Sequence, residues 1–288
     1  MSLPTPHDQM VRIGLHLAKV KRDRYSKGHR DFYEQFFLEK HIHQSKYDLR
    51  ARLRREAVMR ALCEVGLPSS PLIVDVGCGV GDMIQAMPDF STKVAIAFSQ
   101  ADLALARMAC EENILFARAS AFELPFAAEC VDMVICLEVI EHLSNDRAVI
   151  REVTRVLKPG GRLLISAPGN YYFAEYLDLM GHYRHYSRES LAQLLAEENL
   201  RIIRYIEGYR LINTVHFYPF AFLEAAHRFL NRCRLRAESL YVRPYLGRLY
   251  LEIANLLARC AREREQSALE ADQRSTFMLA ERTVGECT

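Results

Sequence analysis

The sequence predicts an α/β protein with a parallel, doubly wound sheet. Strand patterns alternate with helical patterns from residue 72 onward, as in sheets that carry helices on both faces. The first predicted strand, around Asp75, runs directly into a turn with three alternate glycines, and ligands bind at such turns in this class of fold. A second chain breaker, Lys158-Pro159-Gly160-Gly161, separates a later helix from the next buried strand.

Each element is predicted from its own spacing of apolar residues. Helical spacing over residues 25–64, ended by Gly66-Leu67-Pro68, predicts helices ahead of the sheet. Ser99, three residues before Asp102, is predicted to cap one core helix, and Ser187 is predicted to cap another. The predicted strands span residues 72–76, 93–98, 113–117, 131–137, 162–166 and 200–206, and the core helices span residues 82–87, 102–110, 147–157 and 189–198.

The last part of the chain departs from this alternation. Residues 211–262 have amphipathic helical spacing, residues 264–274 are polar and predicted to be disordered, and residues 276–280 predict a last strand. The insertion can extend the core, cover the ligand site as a lid, form a dimer contact, or rest as a basic surface on a membrane, and we favour the lid. The predicted units are an N-terminal helical segment (1–66), a ligand-binding core (67–210), a helical insertion (211–264), and a linker with the last strand (265–288).

Composition predicts a soluble, reduced, cytoplasmic protein. Half of the 288 residues are apolar, and neither a secretory leader nor an apolar stretch of roughly 18 residues is present. The eight cysteines lack paired short spacings and are therefore expected to be buried thiols. The net charge is +2, with basic character over residues 11–60 and 201–264, but no interleaved aromatic pattern accompanies it, so nucleic acid is not the expected partner.

The spacing of the glycines distinguishes between nucleotide ligands. The turn has the form Gly77-x-Gly79-x-Gly81, and glycines there let a ligand lie directly against the backbone. A dinucleotide fingerprint, Gly-x-Gly-x-x-Gly, requires a glycine at position 82, where this chain has Asp82. The spacing therefore argues against a dinucleotide, and the alternative to a ligand site is a glycine-rich strand-to-helix turn with no ligand.

Several motifs between residues 74 and 204 resemble one known family. They are the glycine turn at 74–81, Leu-Pro-Phe at 124–126, the strand and turn at 132–143, Arg-Glu-Val at 151–153 and Leu-Lys-Pro-Gly-Gly at 157–161. Together they resemble class I S-adenosylmethionine (SAM)-dependent methyltransferases of the ubiquinone/menaquinone-biosynthesis kind, with a type 11/12 methyltransferase domain. The resemblance implies a Rossmann-like, seven-stranded sheet whose last two strands form an antiparallel hairpin, with the helical insertion placed before the last strand.

The same resemblance implies SAM as the cofactor and assigns its binding residues. The backbone of the glycine turn and Asp75 surround the methionine half of SAM in that family. The residues assigned to SAM in this way are Asp75, Gly77, Cys78, Gly79, Gly81, Phe98, Ser99, Ser120, Ala121, Phe122, Leu137 and Glu138.

Two positions depart from the family pattern. The acid that usually holds the ribose hydroxyls at the end of the second strand is replaced by Ala97, and the acid near the adenine amino group is replaced by Ser120. Loss of a charge-assisted contact weakens binding unless another group takes over. The SAM pose is therefore expected to be shifted, or the helical insertion supplies the missing contacts, or the site is degenerate.

The sequence Glu138-x-x-Glu141-His142 offers ligands for a divalent ion. Some relatives with this pattern recruit a later histidine, for which His182 and His185 are the candidates. The same pattern is also common as a structural turn in metal-free relatives, so we expect that no metal is needed.

The segments 168–172 and 181–186 follow the fifth predicted strand and are rich in aromatic residues and histidines. Aromatic faces stabilise a sulfonium and exclude water, and histidine can take a proton from an acceptor. The candidate catalytic residues are Tyr172, His182 and His185.

The expected function is methyl transfer to a small, partly apolar molecule, on oxygen or nitrogen. One alternative is other chemistry in the same SAM pocket, such as intramolecular cyclisation of the aminobutyryl chain. A second alternative is a non-catalytic SAM-binding module.

Overall fold

A seven-stranded mixed sheet forms the core of the molecule, as the sequence predicts. A computed structural model describes residues 49–110, 113–169, 182–206 and 276–283. The strands lie in the order β3-β2-β1-β4-β5-β7-β6. They span Leu72–Val76 (β1), Thr92–Ala97 (β2), Ile114–Arg118 (β3), Val131–Leu137 (β4), Leu157–Ser166 (β5), Leu200–Tyr205 (β6) and Met278–Arg282 (β7).

Helices connect the strands along the described part of the chain. They are α1 (Leu49–Val65), α2 (Asp82–Gln85), α3 (Gln100–Ala109), α4 (Asp146–Val156) and α5 (Arg188–Glu197), with a short 3-10 turn at Ile140–His142. Ser99 caps α3 by accepting hydrogen bonds from the amides of Ala101 and Asp102, and Ser187 caps α5. Both predicted caps are therefore confirmed.

The first five strands run parallel, and β7 lies antiparallel between β5 and β6. This arrangement confirms the antiparallel hairpin of the last two strands. Thr276 leads into β7, and its hydroxyl bonds the backbone of Ala167, just beyond β5. The start of β7 is thereby attached to the carboxyl edge of the sheet.

Most predicted element ends differ from the observed ends by one or two residues, but the breaker before β5 differs more. Residues 158–161 belong to β5, where Val131 pairs with Leu157 and the next paired residues are Met133 and Arg162. The four residues between form an irregularity with Gly160 at φ 74°. The sequence signal was correct for a break in the pairing and wrong for a break in the strand.

The sheet carries an apolar layer on each face. Val74 and Val76 face one layer, whereas Ile73 faces the other, which also contains Ala97 and residues of α1. Because β1, β2, β4 and β5 are parallel, their carboxyl ends meet at one edge of the sheet. That edge is where the candidate site lies.

Several predictions fall outside the described residues. They are the helices before residue 49, the helical insertion at 211–264, the polar stretch at 264–274 and the catalytic candidate Tyr172. Among the helices that the structure does describe, none is both long and apolar enough to cross a membrane.

Candidate functional site

The glycine turn joins the carboxyl end of β1 to α2 and is held against β2. The backbone amides of Gly77 and Cys78 both donate hydrogen bonds to the carbonyl of Ile96, at 2.8 and 3.0 Å. Gly77, Gly79 and Gly81 have φ values of 77°, 52° and 79°, a region that side chains disfavour. The turn therefore depends on glycine for its backbone path.

The surroundings of the three glycines differ. A Cβ on Gly77 would overlap the side chain of Val139, and a Cβ on Gly81 would overlap the sulfur of Cys110. A Cβ on Gly79 would have no neighbouring atom within 4 Å. Two of the glycines are thus required by packing, whereas Gly79 faces the open edge of the sheet where a ligand can approach its backbone.

Asp75 is buried in the centre of the sheet with 3% of its surface exposed. Burial raises the pKa of its carboxyl group from 3.8 to about 7, and a hydrogen bond with the backbone of Ile84 opposes that rise. This bond ties β1 to α2 across the glycine turn, so Asp75 stabilises the turn as well as being a candidate for SAM binding. Burial also raises the pKa of the Cys78 thiol, which keeps it neutral.

The end of β2 has an apolar residue where the family usually has an acid. Ala97 is buried and Phe98 is largely exposed. The Phe98 carbonyl accepts a hydrogen bond from Arg118 Nε at 3.0 Å. Ser99 is buried and bonded to the amides of α3, so its observed role is capping and its predicted contact with SAM stays a prediction.

The turn after β3 contains the next predicted SAM residues. Ser120 pairs with Glu123 and accepts a hydrogen bond from the Phe122 amide at 3.2 Å, while Ala121 lies between them. The Phe122 ring is exposed. Since β2 and β3 are adjacent and parallel, Phe98 and Phe122 both follow strand ends at the carboxyl edge, where they offer apolar surface.

Leu137 ends β4, and Glu138 follows it with an unusual backbone. Glu138 has φ 56°, a left-handed value that is uncommon for a residue other than glycine. Its amide donates to the Ser166 carbonyl at 3.0 Å, and its Oε1 accepts from the Ser166 hydroxyl at 2.7 Å. Ser166, which sequence reasoning missed, therefore fixes both the backbone and the side chain of Glu138.

A cluster of three ionisable side chains lies directly beyond Glu138. Donor atoms of Glu141, His142 and His182 all lie within 4.8 Å of one another. Glu141 is only 1% exposed, its Oε1 lies 3.7 Å from His142 Nε2, and its buried Oε2 has no hydrogen-bond partner. Burial, and secondarily the charge of Glu138, raise the pKa of Glu141 well above its ordinary value. A carboxylate in this setting calls for a cation or a proton.

His185 extends this cluster on its outer side. His182 Nδ1 and His185 Nε2 share a hydrogen bond of 2.9 Å, and the two rings meet edge to face. His182 also meets the ring of His142 edge to face, with centroids 4.5 Å apart. Burial lowers the pKa of His185. The structure thus brings both histidine candidates into one cluster.

Backbone contacts hold the histidine segment on the sheet edge. The amide of Tyr183 donates to the Glu141 carbonyl at 2.7 Å, and that of Tyr186 donates to the Pro168 carbonyl at 3.1 Å. Glu141 follows β4 and Pro168 follows β5, so the two bonds attach the histidine segment beyond the carboxyl ends of both strands. The segment therefore has a defined position relative to Glu141.

Side chains reinforce that position. Arg184 donates to the carbonyls of Leu143 and Ser144 at 3.1 and 2.7 Å and pairs with Asp146 at 3.0 Å. The Tyr186 hydroxyl donates to the same carboxylate at 2.8 Å. Sequence reasoning missed this network because nothing in the spacing shows that these residues meet.

The donor atoms of the cluster suit the divalent ion that the sequence pattern raises. Glu141 has a buried oxygen without a hydrogen-bond partner, and its carboxylate lies close to two imidazoles, a common donor set for divalent metals. The residues that would hold an ion are Glu141, His142 and His182. The expectation that no metal is needed is not tested by this geometry and stays a prediction.

Comparison with known proteins supports the assignment of the edge. A family model described as a methyltransferase domain matches residues 74–165. A ubiquinone biosynthesis O-methyltransferase of Pseudomonas fluorescens (strain SBW25) is 36% identical over 114 residues, covering 35% of this chain and 48% of the relative. The chain spans about half the length of the curated relatives it matches.

Solved structures share the fold at low sequence identity. A putative sarcosine dimethylglycine methyltransferase from Galdieria sulphuraria has a TM-score of 0.55 and 17% identity, covering 80% of this chain and 85% of that chain. The [4+2]-cyclase SpnF has a TM-score of 0.53 and 20% identity, covering 82% and 81%. Residues 74–165, which include the glycine turn at the sheet edge, thus match a methyltransferase domain, and the cofactor that this match implies is S-adenosylmethionine.

Proposed function

We propose that the protein transfers the methyl group of SAM to a hydroxyl group of a small, partly apolar molecule. The observation that carries this proposal is the packing of Val139, which follows β4 just before the cluster, against Gly77 of the glycine turn. Val139, which packs against Gly77, lies two residues before Glu141 and three before His142. A site for a proton or a cation therefore lies beside the expected position of SAM.

The kind of acceptor follows from what such a cluster can do. A hydroxyl must lose its proton as it attacks the methyl group, whereas an amine with a lone pair needs no base for the attack. Buried imidazoles beside the cofactor thus favour oxygen over nitrogen. The name of the Pseudomonas fluorescens relative, a ubiquinone biosynthesis O-methyltransferase, agrees with this choice.

The transfer itself is an in-line displacement. The acceptor oxygen attacks the methyl carbon, and the sulfonium leaves as the thioether of S-adenosylhomocysteine. The chain holds SAM against the glycine turn and orients the acceptor at the carboxyl edge. His182 is buried and bonded to the partly buried His185. A proton taken at His182 can therefore pass towards solvent through His185, whose lowered pKa keeps it neutral.

A divalent ion is the other use of the same donor atoms. When bound by Glu141, His142 and His182, it would lower the pKa of an acceptor hydroxyl and so supply what a base supplies. Either use activates an oxygen acceptor, and the proposed function requires only one of them. They differ in the part that His182 plays, which is base in one and ligand in the other.

The apolar character of the acceptor is supported by the rim of the site. Phe98 and Phe122 follow neighbouring strands and both rings are exposed. Exposed aromatic rings at a ligand edge bind flat apolar groups and exclude water from the sulfonium. The adenine ring of SAM and an aromatic acceptor are the two groups that such rings fit.

Product analysis tests the proposal. The protein is incubated with SAM and a panel of phenols, catechols and hydroquinones, each matched by its amine analogue, and products are identified by mass spectrometry. We expect S-adenosylhomocysteine together with an acceptor that has gained one methyl group on oxygen. The Gly79→Val variant serves as the inactive control.

Other outcomes would contradict the proposal in distinct ways. Methylthioadenosine in place of S-adenosylhomocysteine would indicate the alternative chemistry, cyclisation of the aminobutyryl chain. Preference for the amine analogues would show that the cluster does not select oxygen. SAM binding without any product across hydroxyl and amine panels would favour a non-catalytic SAM-binding module.

A further inference from the structure

The two candidate histidines have different positions in the cluster. His182 is 6% exposed, stands edge to face with His142, and contributes a donor atom to the group with Glu141. His185 lies on the other side of His182, with ring centroids 5.1 Å apart, and does not belong to that group of donor atoms. His182 is therefore the central ring of the three.

The hydrogen bond between them fixes how His182 is presented. Its Nδ1 shares a hydrogen bond of 2.9 Å with His185 Nε2, so one of the two ring nitrogens of His182 is held by His185. A histidine that ligates a metal commonly donates its other ring N–H to a second group, which sets the tautomer and the orientation of the ring. The geometry of His185 is that of such a second group.

Glu138 is bonded to Ser166 and does not belong to this group of donor atoms. Its Oε1 accepts from the Ser166 hydroxyl at 2.7 Å, and its left-handed backbone is fixed by the Ser166 carbonyl. Among the described residues, the group close enough to share an ion consists of one carboxylate and two imidazoles. Such a set suits zinc, cobalt or iron better than magnesium, which prefers oxygen ligands.

We propose that His185 is a positioning residue that holds His182 as a ligand in a three-donor site, with Glu141 and His142, for a divalent transition-metal ion. His185 is neither a ligand nor the base in this arrangement. The proposal deepens the proposed function by assigning the cluster to a cation, but its test does not depend on methyl transfer.

Cobalt(II) titration of the purified full-length protein tests the proposal, with visible absorption and calorimetry as readouts. His185→Gln is the matched variant, because its side-chain amide reaches the place of Nε2 and its Oε1 can accept a hydrogen bond from His182 Nδ1. His185→Ala removes the hydrogen bond, and His182→Ala removes the ligand. S-adenosylhomocysteine affinity, measured on each variant, reports whether the fold is intact.

We expect His185→Ala to lower cobalt affinity by about 10- to 100-fold with unchanged absorption bands. His185→Gln should stay within about threefold of the wild type, and His182→Ala should lower affinity further and alter the bands. Magnesium should not compete with cobalt at equal concentration.

Three results would overturn the proposal. The first is a wild-type protein that does not bind cobalt. The second is a His185→Ala variant that binds cobalt as tightly as the wild type. The third is a His185→Ala variant whose absorption bands change as those of His182→Ala do, which would make His185 a ligand. Cobalt binding as expected without any methylated product would leave this proposal standing and contradict the proposed function alone.

Discussion

The two halves of the site, one for SAM and one proposed for the acceptor, differ in whether backbone or side chains form them. The SAM half consists of backbone. Gly77, Gly79 and Gly81 alternate within a single turn, and their lack of side chains permits its left-handed backbone. The proposed acceptor half consists of side chains, because Glu141 and His142 come from one segment and His182 from another about 40 positions later. A site made of backbone can be recognised from a short motif, whereas a site made of converging side chains requires the fold.

The largest effect should come from placing a side chain in the backbone half. Gly79→Val should reduce S-adenosylhomocysteine affinity below detection by calorimetry, because a branched side chain would fill the open space above the turn. The matched control is Gly160→Val. Gly160 also has a left-handed backbone and open surroundings, but it lies in the irregularity of β5. Equal loss in both variants would show that backbone strain, not ligand volume, is responsible.

The next effect concerns the pH dependence of stability. The pKa of Asp75 is raised from 3.8 to about 7 by burial. Between these values the unfolded chain has lost the proton and the folded protein keeps it, so stability should fall as pH rises from about 4 to about 7 and then level off. The full loss is about 4 kcal/mol, taking about 1.4 kcal/mol per pKa unit.

Urea unfolding at several pH values measures this loss. Asp75→Asn keeps an acceptor for the Ile84 amide and removes the titrating group, so its stability should decline less over the same range. If both proteins show the same decline, the carboxyl group of Asp75 ionises in the fold without penalty.

A chelator should separate the two halves. The proposed ion site predicts that dialysis against a strong chelator lowers methyl transfer about tenfold or more, because Glu141, His142 and His182 would lose their ion, whereas the metal-free reaction predicts no loss. S-adenosylhomocysteine affinity should not change, since the glycine turn uses no metal. Activity that survives chelation would support the metal-free reaction expected from the sequence and leave proton transfer through the histidines.

The smallest effect is expected at the end of β2. Ala97→Asp places an acid where related enzymes hold the ribose, and it should tighten S-adenosylhomocysteine binding about fivefold if the pose is the usual one. The gain is modest because Ala97 is buried and a charge there loses hydration. Weaker binding in a stable variant would indicate a shifted pose.

The sheet was predictable because the spacing of apolar residues along the chain indicates each strand. The buried strands β1 and β4 match their predicted bounds, and the two serine caps were visible as Ser followed by polar first-turn residues. The inclusion of residues 158–161 in β5 was not predictable, because Pro and Gly indicate an interruption but do not show whether the same strand continues after it. In the structure β5 pairs with β4 on both sides of the irregularity, Leu157 with Val131 and Arg162 with Met133, so the strand continues through it.

The site was predictable only in part. The motif identified Gly79 and the open turn, and composition drew attention to His182 and His185. The left-handed backbone of Glu138 and its bond to Ser166 could not be foreseen, because both depend on β4 and β5 lying side by side. The different positions of the two histidines rest on distances that no spacing encodes.

The place of β7 has a consequence for how the protein is made. Thr276 bonds Ala167 across 109 positions of sequence, and β7 inserts between two strands that the ribosome releases long before it. Until that strand arrives, β5 and β6 each present an unpaired apolar edge, and pairing over so long a span is slow. The nascent chain therefore passes through a period in which its sheet is open between β5 and β6.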